Sequence, residues 1–208
     1  MANTTNIILT IVIGYLLGSI STGVVLSKMF ANKDIRNEGS GNAGTTNMLR
    51  VLGRKMALLT FVGDMLKGII AVFIGKALVG GDLGGVLGVV GAVLGHYYPL
   101  YFGFKGGKGI ATSFGSLLFV FPVHALLAFT VFLILVAVTH YVSVGSVAAA
   151  FTLPLLVFLT HASKNLTVCV ITACIGASVI WRHRANIKRL LSHTESKLDF
   201  SKLKCKKK

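Results

Sequence analysis

The chain has 208 residues, of which 54% are hydrophobic and only 13% charged, and its mean hydropathy is +0.79. Soluble domains carry about 25% charged residues, so this composition excludes a soluble globular protein. The net charge of +15 could indicate nucleic-acid binding, but the basic residues bracket apolar segments instead of covering a soluble face. That distribution excludes a soluble nucleic-acid binder.

Seven apolar segments follow one another along the chain. They are continuous rather than alternating, which excludes a β-barrel and predicts an all-α, polytopic integral membrane protein. Their predicted bounds are 6–30, 56–79, 83–95, 109–121, 125–139, 144–159 and 166–180. The fourth and fifth segments are short for a bilayer crossing, which needs roughly 20 residues. A tilted, broken or incompletely spanning helix is one interpretation of this pair.

Positive charge predicts the topology. Eighteen of the 21 basic residues lie in three segments, namely the first polar loop, a short Gly-Lys loop and the chain from Arg182 onward. By the positive-inside rule all three are cytoplasmic. Four crossings between Lys108 and Arg182 leave about 18 residues each, whereas two would leave about 37. About seven helices are therefore predicted, with the N-terminus outside and the C-terminus cytoplasmic. His124, His140 and His161 are placed at the opposite membrane edge.

The spans themselves hold two polar or small-residue patterns. Gly14 and Gly18 form a GxxxG pattern, which is typical of a helix-packing face. Asp64 and Lys67 stand three residues apart in the second span, a spacing at which side chains can pair. Such a pair at membrane depth marks a functional site or only locks helices together, and both interpretations stay open.

The remaining predictions concern domains and cofactors. Residues 1–191 are predicted to form one transmembrane domain, followed by a basic cytoplasmic tail at 192–208. The N-terminus lacks the basic stretch of a cleavable signal, so none is expected. Cys169, Cys174 and Cys205 lack metal-site spacing and are interpreted as packing residues in a reducing compartment. We expect no metal and no other cofactor.

The first polar loop carries the run GSGNAGTTNMLR at 39–50. Its glycines allow backbone amides to approach an anion, and its hydroxyls, amides and terminal Arg50 add donors without any acid. A run of this kind beside a bilayer is suited to phosphate. An ordinary interhelical loop is the other interpretation, because glycine-rich loops match many patterns by chance.

Two further motifs lie on the same predicted face. GFKGGKGIAT at 103–112 combines glycines and lysines at a helix start, which is typical of an anion site, although it is not a Walker A motif. A basic interfacial anchor is the alternative. In WRHRANIKRLL at 181–191, His183 and Asn186 are predicted to share a helix face, with Arg182 and Arg189 near enough to join the site.

SGNAGTTNMLR, GHYYP with KGGKGIAT, and RHRANIKRLL together resemble the bacterial membrane-bound acyl-phosphate:glycerol-3-phosphate acyltransferase family. The resemblance spans residues 6 to about 197, with three motifs in the family's order. Two departures are visible. The family pattern usually reads GATN where this chain has GTTN at 44–47, a small-for-small change, and it tends to have glycine where His193 stands, which affects only the tail's geometry.

The resemblance implies transfer of an acyl chain from acyl phosphate to the 1-hydroxyl of glycerol 3-phosphate, which gives lysophosphatidate and phosphate in the first acylation of phospholipid synthesis. It implies a bacterial plasma (inner) membrane location among membrane lipids, with the site on the cytoplasmic face and no nucleic-acid partner. The residues carried over are Ser40, Asn42, Thr46, Asn47 and Arg50 from the first motif, His96, Gly106, Gly107, Lys108 and Thr112 from the second, and His183 and Asn186 from the third. Ser40, His183 and Asn186 are the catalytic candidates among them.

A direct displacement fits this assignment. Acyl phosphate is a mixed anhydride with a good leaving group, so no covalent intermediate is needed, and neither GxSxG nor HxxxxD occurs in the chain. The amides of Gly106 and Gly107 with Lys108 are expected to hold acyl phosphate, and Ser40 and Arg50 to hold glycerol phosphate. The hydroxyl proton goes to His183 or to a phosphate oxygen of the donor; both remain open. The acyl chain is expected between helices.

Two other classes of protein are considered. An organic-anion transporter or channel would use the loops as a gate, but the polar residues gather on one face and no inverted repeat is visible. A structural or regulatory membrane subunit with basic lipid-binding segments would leave SGNAGTTN and KGGKG without a role.

Overall fold

The computed structural model describes residues 3–162 and 164–198, and every regular element in these ranges is helical. The α-helices are α1 (Thr4–Gly18), α2 (Thr22–Ala31), α3 (Thr45–Leu78), α4 (Gly81–Tyr97), α5 (Ile110–Val120), α6 (Pro122–Thr139), α7 (Val142–His161), α8 (Leu166–Arg182) and α9 (Arg184–Leu191). Single 3-10 turns at Ile35–Asn37 and Leu100–Phe102 lie in the polar loops. The all-α prediction is confirmed, while Cys205 and most of the predicted tail lie outside the described residues.

Each of the seven predicted apolar segments is helical, but they differ in length. Five stretches are long and apolar enough to cross a membrane: α1 with α2, α3, α4 with the following turn, α6 and α7. α8 reaches this length only together with α9, from which it is bent by 52°. α5 has 11 residues, a length of about 16 Å, roughly half of the 30 Å hydrocarbon core. The polytopic membrane fold is confirmed, with five or six such spans in the described residues. Seven were predicted, and α5 is the predicted span that is too short to cross the bilayer.

The first predicted span is broken into α1 and α2 at residues 19–21. Ser19 and Ser21 are both buried there, and the Ser19 hydroxyl donates to the carbonyl of Tyr15 at 2.8 Å. Serine side chains that bond the backbone compete with the helical ladder. The break exposes the carbonyl of Ile20 to a side-chain donor, Nζ of Lys67, at 2.9 Å.

α3 starts eleven residues earlier than predicted, at Thr45 rather than Met56. Half of the first polar motif is therefore helix, and the chain bends at Gly53, whose φ of +79° lies in the left-handed region that favours glycine. The buried Met48 and Ala57 pack with Val24 beneath the polar loop. This small core fixes the motif against α2.

Close helix contacts confirm the GxxxG prediction. α1 packs against α4, and a Cβ built on Gly18 would lie 2.1 Å from the carbonyl oxygen of Ala92. A Cβ on Gly14 would lie 3.1 Å from the carbonyl oxygen of Gly88. Only glycine permits such an approach of two backbones, and the contact holds the end of α4 beside the α1–α2 break.

The polar loops and the C-terminal segment gather at one end of the bundle. Leu198 N–H donates to the carbonyl of His140 at 2.7 Å, so the α6–α7 connection lies at this end. The prediction that His140 is at the opposite edge is wrong, because α6 returns the chain to the motif end. His124 and His161 do lie together, with ring centroids 5.3 Å apart, at the far ends of α6 and α7.

Candidate active site

The first polar loop is wrapped around the buried side chain of Asn47. Its Oδ1 accepts from the N–H of Ser40 at 2.8 Å, and its Nδ2 donates to the carbonyls of Ile35, Glu38 and Asn42 at 3.1, 2.9 and 3.0 Å. These polar atoms are engaged by the backbone. The expectation that Asn47 contacts phosphate directly is therefore replaced by a role in shaping the loop.

The N-terminus of α3 opens into the space that this loop encloses. Gly44 is the N-cap and provides no side-chain cap, so the first amides of the helical segment before the bend at Gly53 remain available to a ligand. Thr45 and Thr46 line the space, and the buried Oγ1 of Thr45 has no hydrogen-bond partner among the described residues. Helix N-termini carry partial positive charge and attract anions. Sequence analysis missed this start because Thr, Thr and Asn favour loops.

The glycines of the second motif have a different role from the predicted one. The N–H of Gly106 donates to the carbonyl of Tyr97 at 3.2 Å and that of Gly107 to the carbonyl of His96 at 3.1 Å. A Cβ on Gly106 would lie 2.0 Å from the His96 carbonyl oxygen. These glycines permit close packing on the end of α4, and the expectation that their amides cradle phosphate is wrong in this conformation.

Arg182 fastens the same loop to the end of α8. Its guanidinium donates to the carbonyls of Gly107 at 2.8 Å and Gly106 at 3.3 Å, and it lies over the rings of Tyr97 and Tyr98, 5.2 and 5.5 Å from their centroids. The expectation that Arg182 shares the site with Arg189 is therefore corrected. Arg182 lies behind the loop, whereas Arg189 lines the cavity.

Lys108 points from the loop toward the third motif, and its Nζ donates to Oδ1 of Asn186. Burial lowers the pKa of Lys108 to about 8, although the nearby negative charge of Glu195 acts to raise it.

Four residues further on, Thr112 is fully buried, and its Oγ1 has no partner in the part of the chain that the structure describes. It lies within α5 and not on the cavity surface, so the structure does not bring Thr112 to the site.

His183 occupies the break between α8 and α9 rather than a helix face. Its Nδ1 lies 2.8 Å from the carbonyl of Val179, and because a carbonyl can only accept, Nδ1 carries the hydrogen and Nε2 the lone pair. Burial lowers the pKa of His183 to about 4, more than the Val179 contact raises it. The ring is therefore neutral near pH 7.

Glu195 organises the third motif, and sequence analysis missed it inside a tail judged by its basic residues. Its carboxylate accepts from Nδ2 of Asn186 and Nε of Arg189, both at 2.6 Å, and from the hydroxyl of Ser143 at 3.0 Å. Burial raises the pKa of Glu195, but these hydrogen bonds outweigh it and hold the pKa below its usual range. His193 has a φ of +55°, the conformation that glycine adopts most readily.

These segments enclose a cavity of about 490 Å³ at one end of the bundle, within the roughly 300–1,000 Å³ of small-molecule sites. Nine of the twelve predicted site residues line it, and the three that do not are Gly106, Gly107 and Thr112. The nine are Ser40, Asn42, Thr46, Asn47, Arg50, His96, Lys108, His183 and Asn186. Residues 195, 196 and 198 complete one wall, so this part of the predicted tail belongs to the site.

The charge balance of the cavity favours anions. Of its two acids, Asp64 pairs with Lys67 at 2.9 Å, as predicted, and Glu195 with Arg189 at 2.6 Å. Arg50 and Lys108 therefore remain as excess positive charge. Within residues 3–162 and 164–198, no three His, Cys, Asp or Glu side chains come together as a metal site would require. The expected absence of a metal stays a prediction.

An apolar cavity of about 90 Å³ lies next to the polar one, mainly between α5, α6, α7 and α8. The two share four lining residues, Phe61, Ile110, Phe129 and Phe132. The rings of Phe114 and Phe129 stack with centroids 4.6 Å apart along this passage. A molecule with a charged head and an apolar chain could therefore lie across both cavities.

Comparison with known proteins extends these observations. The family model described as glycerol-3-phosphate acyltransferase matches residues 8–193. The glycerol-3-phosphate acyltransferase of Clostridioides difficile (strain 630) is 47% identical over 196 residues, which covers 92% of this chain and 95% of that protein. That of Thermoanaerobacter sp. (strain X514) is 46% identical over 192 residues, with coverages of 92% and 95%.

Solved structures agree with the sequence relatives. The crystal structure of PlsY (YgiH), an integral membrane glycerol 3-phosphate acyltransferase, in its glycerol 3-phosphate form, superposes with a TM-score of 0.87 at 39% identity and covers 95% of this chain and 98% of that one. Its lysophosphatidic acid form gives a TM-score of 0.83 at 38% identity, with coverages of 95% and 97%. By motif, by sequence and by fold, this chain belongs to the PlsY-type glycerol-3-phosphate acyltransferase family.

Proposed function

We propose that the protein transfers an acyl chain from acyl phosphate to the 1-hydroxyl of glycerol 3-phosphate, releasing lysophosphatidate and inorganic phosphate. The observation that carries the proposal is the junction of a cation-rich polar cavity with an apolar slot between helices. The two substrates together require phosphate donors and a place for a hydrocarbon chain. The relatives' shared name and the glycerol 3-phosphate form of the PlsY structure support the acceptor.

Glycerol 3-phosphate is assigned to the side of the cavity formed by the first motif. The N-terminus of α3, Ser40, Thr46 and Arg50 supply backbone, hydroxyl and guanidinium donors there. A dianionic phosphate suits this set, since charge-assisted hydrogen bonds are roughly twice as strong as neutral ones. Asn42 closes the loop on the same side, and Asn47 holds its shape.

Acyl phosphate is assigned to Lys108, in place of the glycine amides that the loop itself uses. The ammonium lies beside Asn186, whose other side-chain atom donates to Glu195. Glu195 thus fixes Asn186, and Asn186 fixes Lys108. The acyl chain then extends past Phe129 and Phe132 into the apolar cavity, away from water.

The reaction is a single displacement. The 1-hydroxyl oxygen attacks the acyl carbonyl carbon, the carbon–oxygen bond to phosphate breaks, and its electron pair leaves with the phosphate. The hydroxyl proton passes to Nε2 of His183, whose lone pair the Val179 contact leaves free, or to an oxygen of the donor phosphate. Ser40 and Asn186 orient the two phosphates. No covalent enzyme intermediate forms.

We place this site on the cytoplasmic face of a bacterial plasma membrane. Arg36, Arg50, Lys105 and Lys108 lie at the cavity end of the bundle, and the positive-inside rule assigns that end to the cytoplasm. Phosphorylated substrates are then available from the aqueous side and the lipid product can leave into the inner leaflet.

The test is incubation of the purified protein with acyl phosphate and glycerol 3-phosphate, with acyl-coenzyme A and acyl carrier protein thioesters as parallel donors. With acyl phosphate as donor, lysophosphatidate and phosphate should form in equal amounts. Neither thioester should give lysophosphatidate. Formation from a thioester instead would overturn the assigned donor. Uptake of an organic anion into sealed vesicles without chemical conversion would indicate the transporter class.

A further inference from the structure

A buried charged cluster lies beneath the cavity. Lys67 and Asp64 of α3 are 5% and 1% exposed, and His96 at the end of α4 is 5% exposed. Three groups surround the Lys67 ammonium at 2.9 Å each: the Ile20 carbonyl at the α1–α2 break, Oδ1 of Asp64, and Nδ1 of His96. Asp64 and His96 also line the cavity.

This arrangement decides which nitrogen of His96 carries its hydrogen. An ammonium has three donors and no lone pair, so Nδ1 of His96 must accept from Lys67. The carboxylate of Asp64 is the countercharge of the Lys67 ammonium at 2.9 Å, and at 3.7 Å it lies beyond hydrogen-bond distance of Nδ1. The hydrogen of the neutral His96 ring is therefore on Nε2.

Nε2 of His96 lies on the side of the ring that meets the second motif, because a Cβ built on Gly107 would lie 2.2 Å from it. Among residues 3–162 and 164–198, no acceptor for the Nε2 hydrogen is found. Polar atoms that are fully buried and lack a partner do not include this nitrogen, so Nε2 is not fully buried. It is therefore an unused donor on a residue that lines the cavity. His183 has the opposite arrangement, with Nδ1 bonded to the backbone and a lone pair on Nε2.

We propose that Lys67 and Asp64 are positioning residues that hold His96 as its Nε2–H tautomer. The cavity then contains one imidazole that donates to a substrate phosphate oxygen and one, His183, whose Nε2 lone pair is free to accept a proton. The use of this donor rests on the proposed function, whereas the tautomer itself does not. A pair that only locked helices together would leave the hydrogen of His96 unaffected.

The tautomer is measured directly by nitrogen NMR of protein labelled with ¹⁵N-histidine in phospholipid nanodiscs, without substrate. The His96 signals are identified by their loss in His96→Gln. We expect an Nε2–H ring in the wild type. In Lys67→Met the ammonium is gone and Asp64 becomes the acceptor nearest Nδ1, so the ring should convert to the Nδ1–H form.

Activity is measured on the same variants. Lys67→Met should lower kcat/KM for glycerol 3-phosphate acylation at least tenfold, because hydrogen bonds to charged groups contribute that much. The matched control is Lys76→Met, a lysine of the same helix whose Nζ donates to the Phe119 carbonyl at the far end. It should stay within twofold of the wild type and retain the Nε2–H signal.

Lys67→Met leaves Asp64 as a buried unpaired charge, which can prevent folding. The double variant Asp64→Asn/Lys67→Met removes both charges and should show a mixture of His96 tautomers. An Nδ1–H or doubly protonated ring in the wild type would overturn the proposal. An unchanged Nε2–H signal in both Lys67→Met and Asp64→Asn/Lys67→Met would overturn it as well. A wild-type protein that shows the Nε2–H ring but acylates no glycerol 3-phosphate would refute the proposed function and leave the tautomer assignment standing.

Discussion

Lys108 is a cavity cation whose charge changes within an accessible pH range. Its folded-state pKa of about 8 lies below the ordinary 10.5 because burial disfavours the ammonium. The site therefore holds this charge at pH 7 and loses it as the pH rises through 8. We expect the KM for acyl phosphate to increase about tenfold between pH 7 and pH 9.5, measured from initial rates at saturating glycerol 3-phosphate.

The neighbouring lysine of the same motif provides the control for this prediction. Lys105 is exposed and does not line the cavity, so Lys105→Gln should retain the wild-type KM at each pH. Lys108→Arg, whose guanidinium stays charged throughout, should lose the alkaline increase. A wild-type KM that is flat up to pH 9.5 would contradict the role assigned to Lys108.

His183 is predicted to act as a base without titrating in the working pH range. General bases contribute about 10²–10⁴-fold to rate, so His183→Ala should lower kcat at least a hundredfold with little change in the KM of either substrate. Because burial lowers the His183 pKa to about 4, the ring stays neutral from pH 8 down to pH 6. Protonation of His183 should cause no decrease in kcat over that interval.

The outcome of this substitution also decides between the two proton acceptors. If His183→Ala turned over at a near-normal rate, the proton would have to pass to the donor phosphate. Glutamine at the same position, which has no basic nitrogen, should behave like alanine if proton transfer is the lost step.

At the scale of helices, the α1–α4 contact determines where the end of α4 and its His96 lie. A methyl group on Gly18 would overlap the Ala92 carbonyl, and such overpacking typically costs about 1–3 kcal/mol. We expect Gly18→Ala to lower the apparent Tm in detergent by several degrees. Val12 of the same helix is 47% exposed and faces lipid, so Val12→Ala should change Tm by much less. Equal shifts of Tm for the two variants would show that the close approach of α1 and α4 is unimportant.

Sequence patterns predict apolar helices well because bilayer thickness imposes a long, continuous signal. These patterns located all seven apolar segments, and nine of the twelve site residues predicted from the motifs line one cavity. They failed where a tertiary contact decides the structure. Gly106 is glycine because the His96 carbonyl lies against it, and Thr45 begins a helix because the loop packs around Asn47. Neither contact is visible in local composition.

Charge counting had a similar limit. The tail was interpreted from its many lysines, yet one of its two acids, Glu195, accepts three side-chain hydrogen bonds within the site. His140, in contrast, was within reach of sequence reasoning. With the second motif cytoplasmic, two further crossings return the α6–α7 connection to the cytoplasmic end, so the predicted number of crossings already places His140 there.

At the scale of the whole molecule, the C-terminal segment is part of the enzyme's cavity. Truncation after Leu191 removes Glu195 and Ser196, which line the cavity and bond α9, α7 and Arg50. We expect such a protein to insert into membranes but to lose more than 90% of its acyltransferase activity, assayed in vesicles at equal protein. Truncation after Leu198 keeps every described cavity residue and should retain at least half.

An intermediate outcome is informative as well. If the protein truncated after Leu191 stayed fully active, the wall formed by residues 195–198 would be dispensable. The proposal that Glu195 fixes Asn186 would then be wrong. Glu195→Gln separates charge from shape, since the amide can still accept from Asn186 but carries no charge for Arg189.

The placement of residues 195–198 also has a practical bearing on anyone who handles this protein. An affinity tag or fluorescent fusion joined directly to α9 would replace residues 195–198, which form one wall of the cavity. The opposite terminus is the safer attachment point: the amide of Asn6 is bonded to the carbonyl of Leu78 at 2.7 Å, which anchors the chain's beginning at the far end of the bundle.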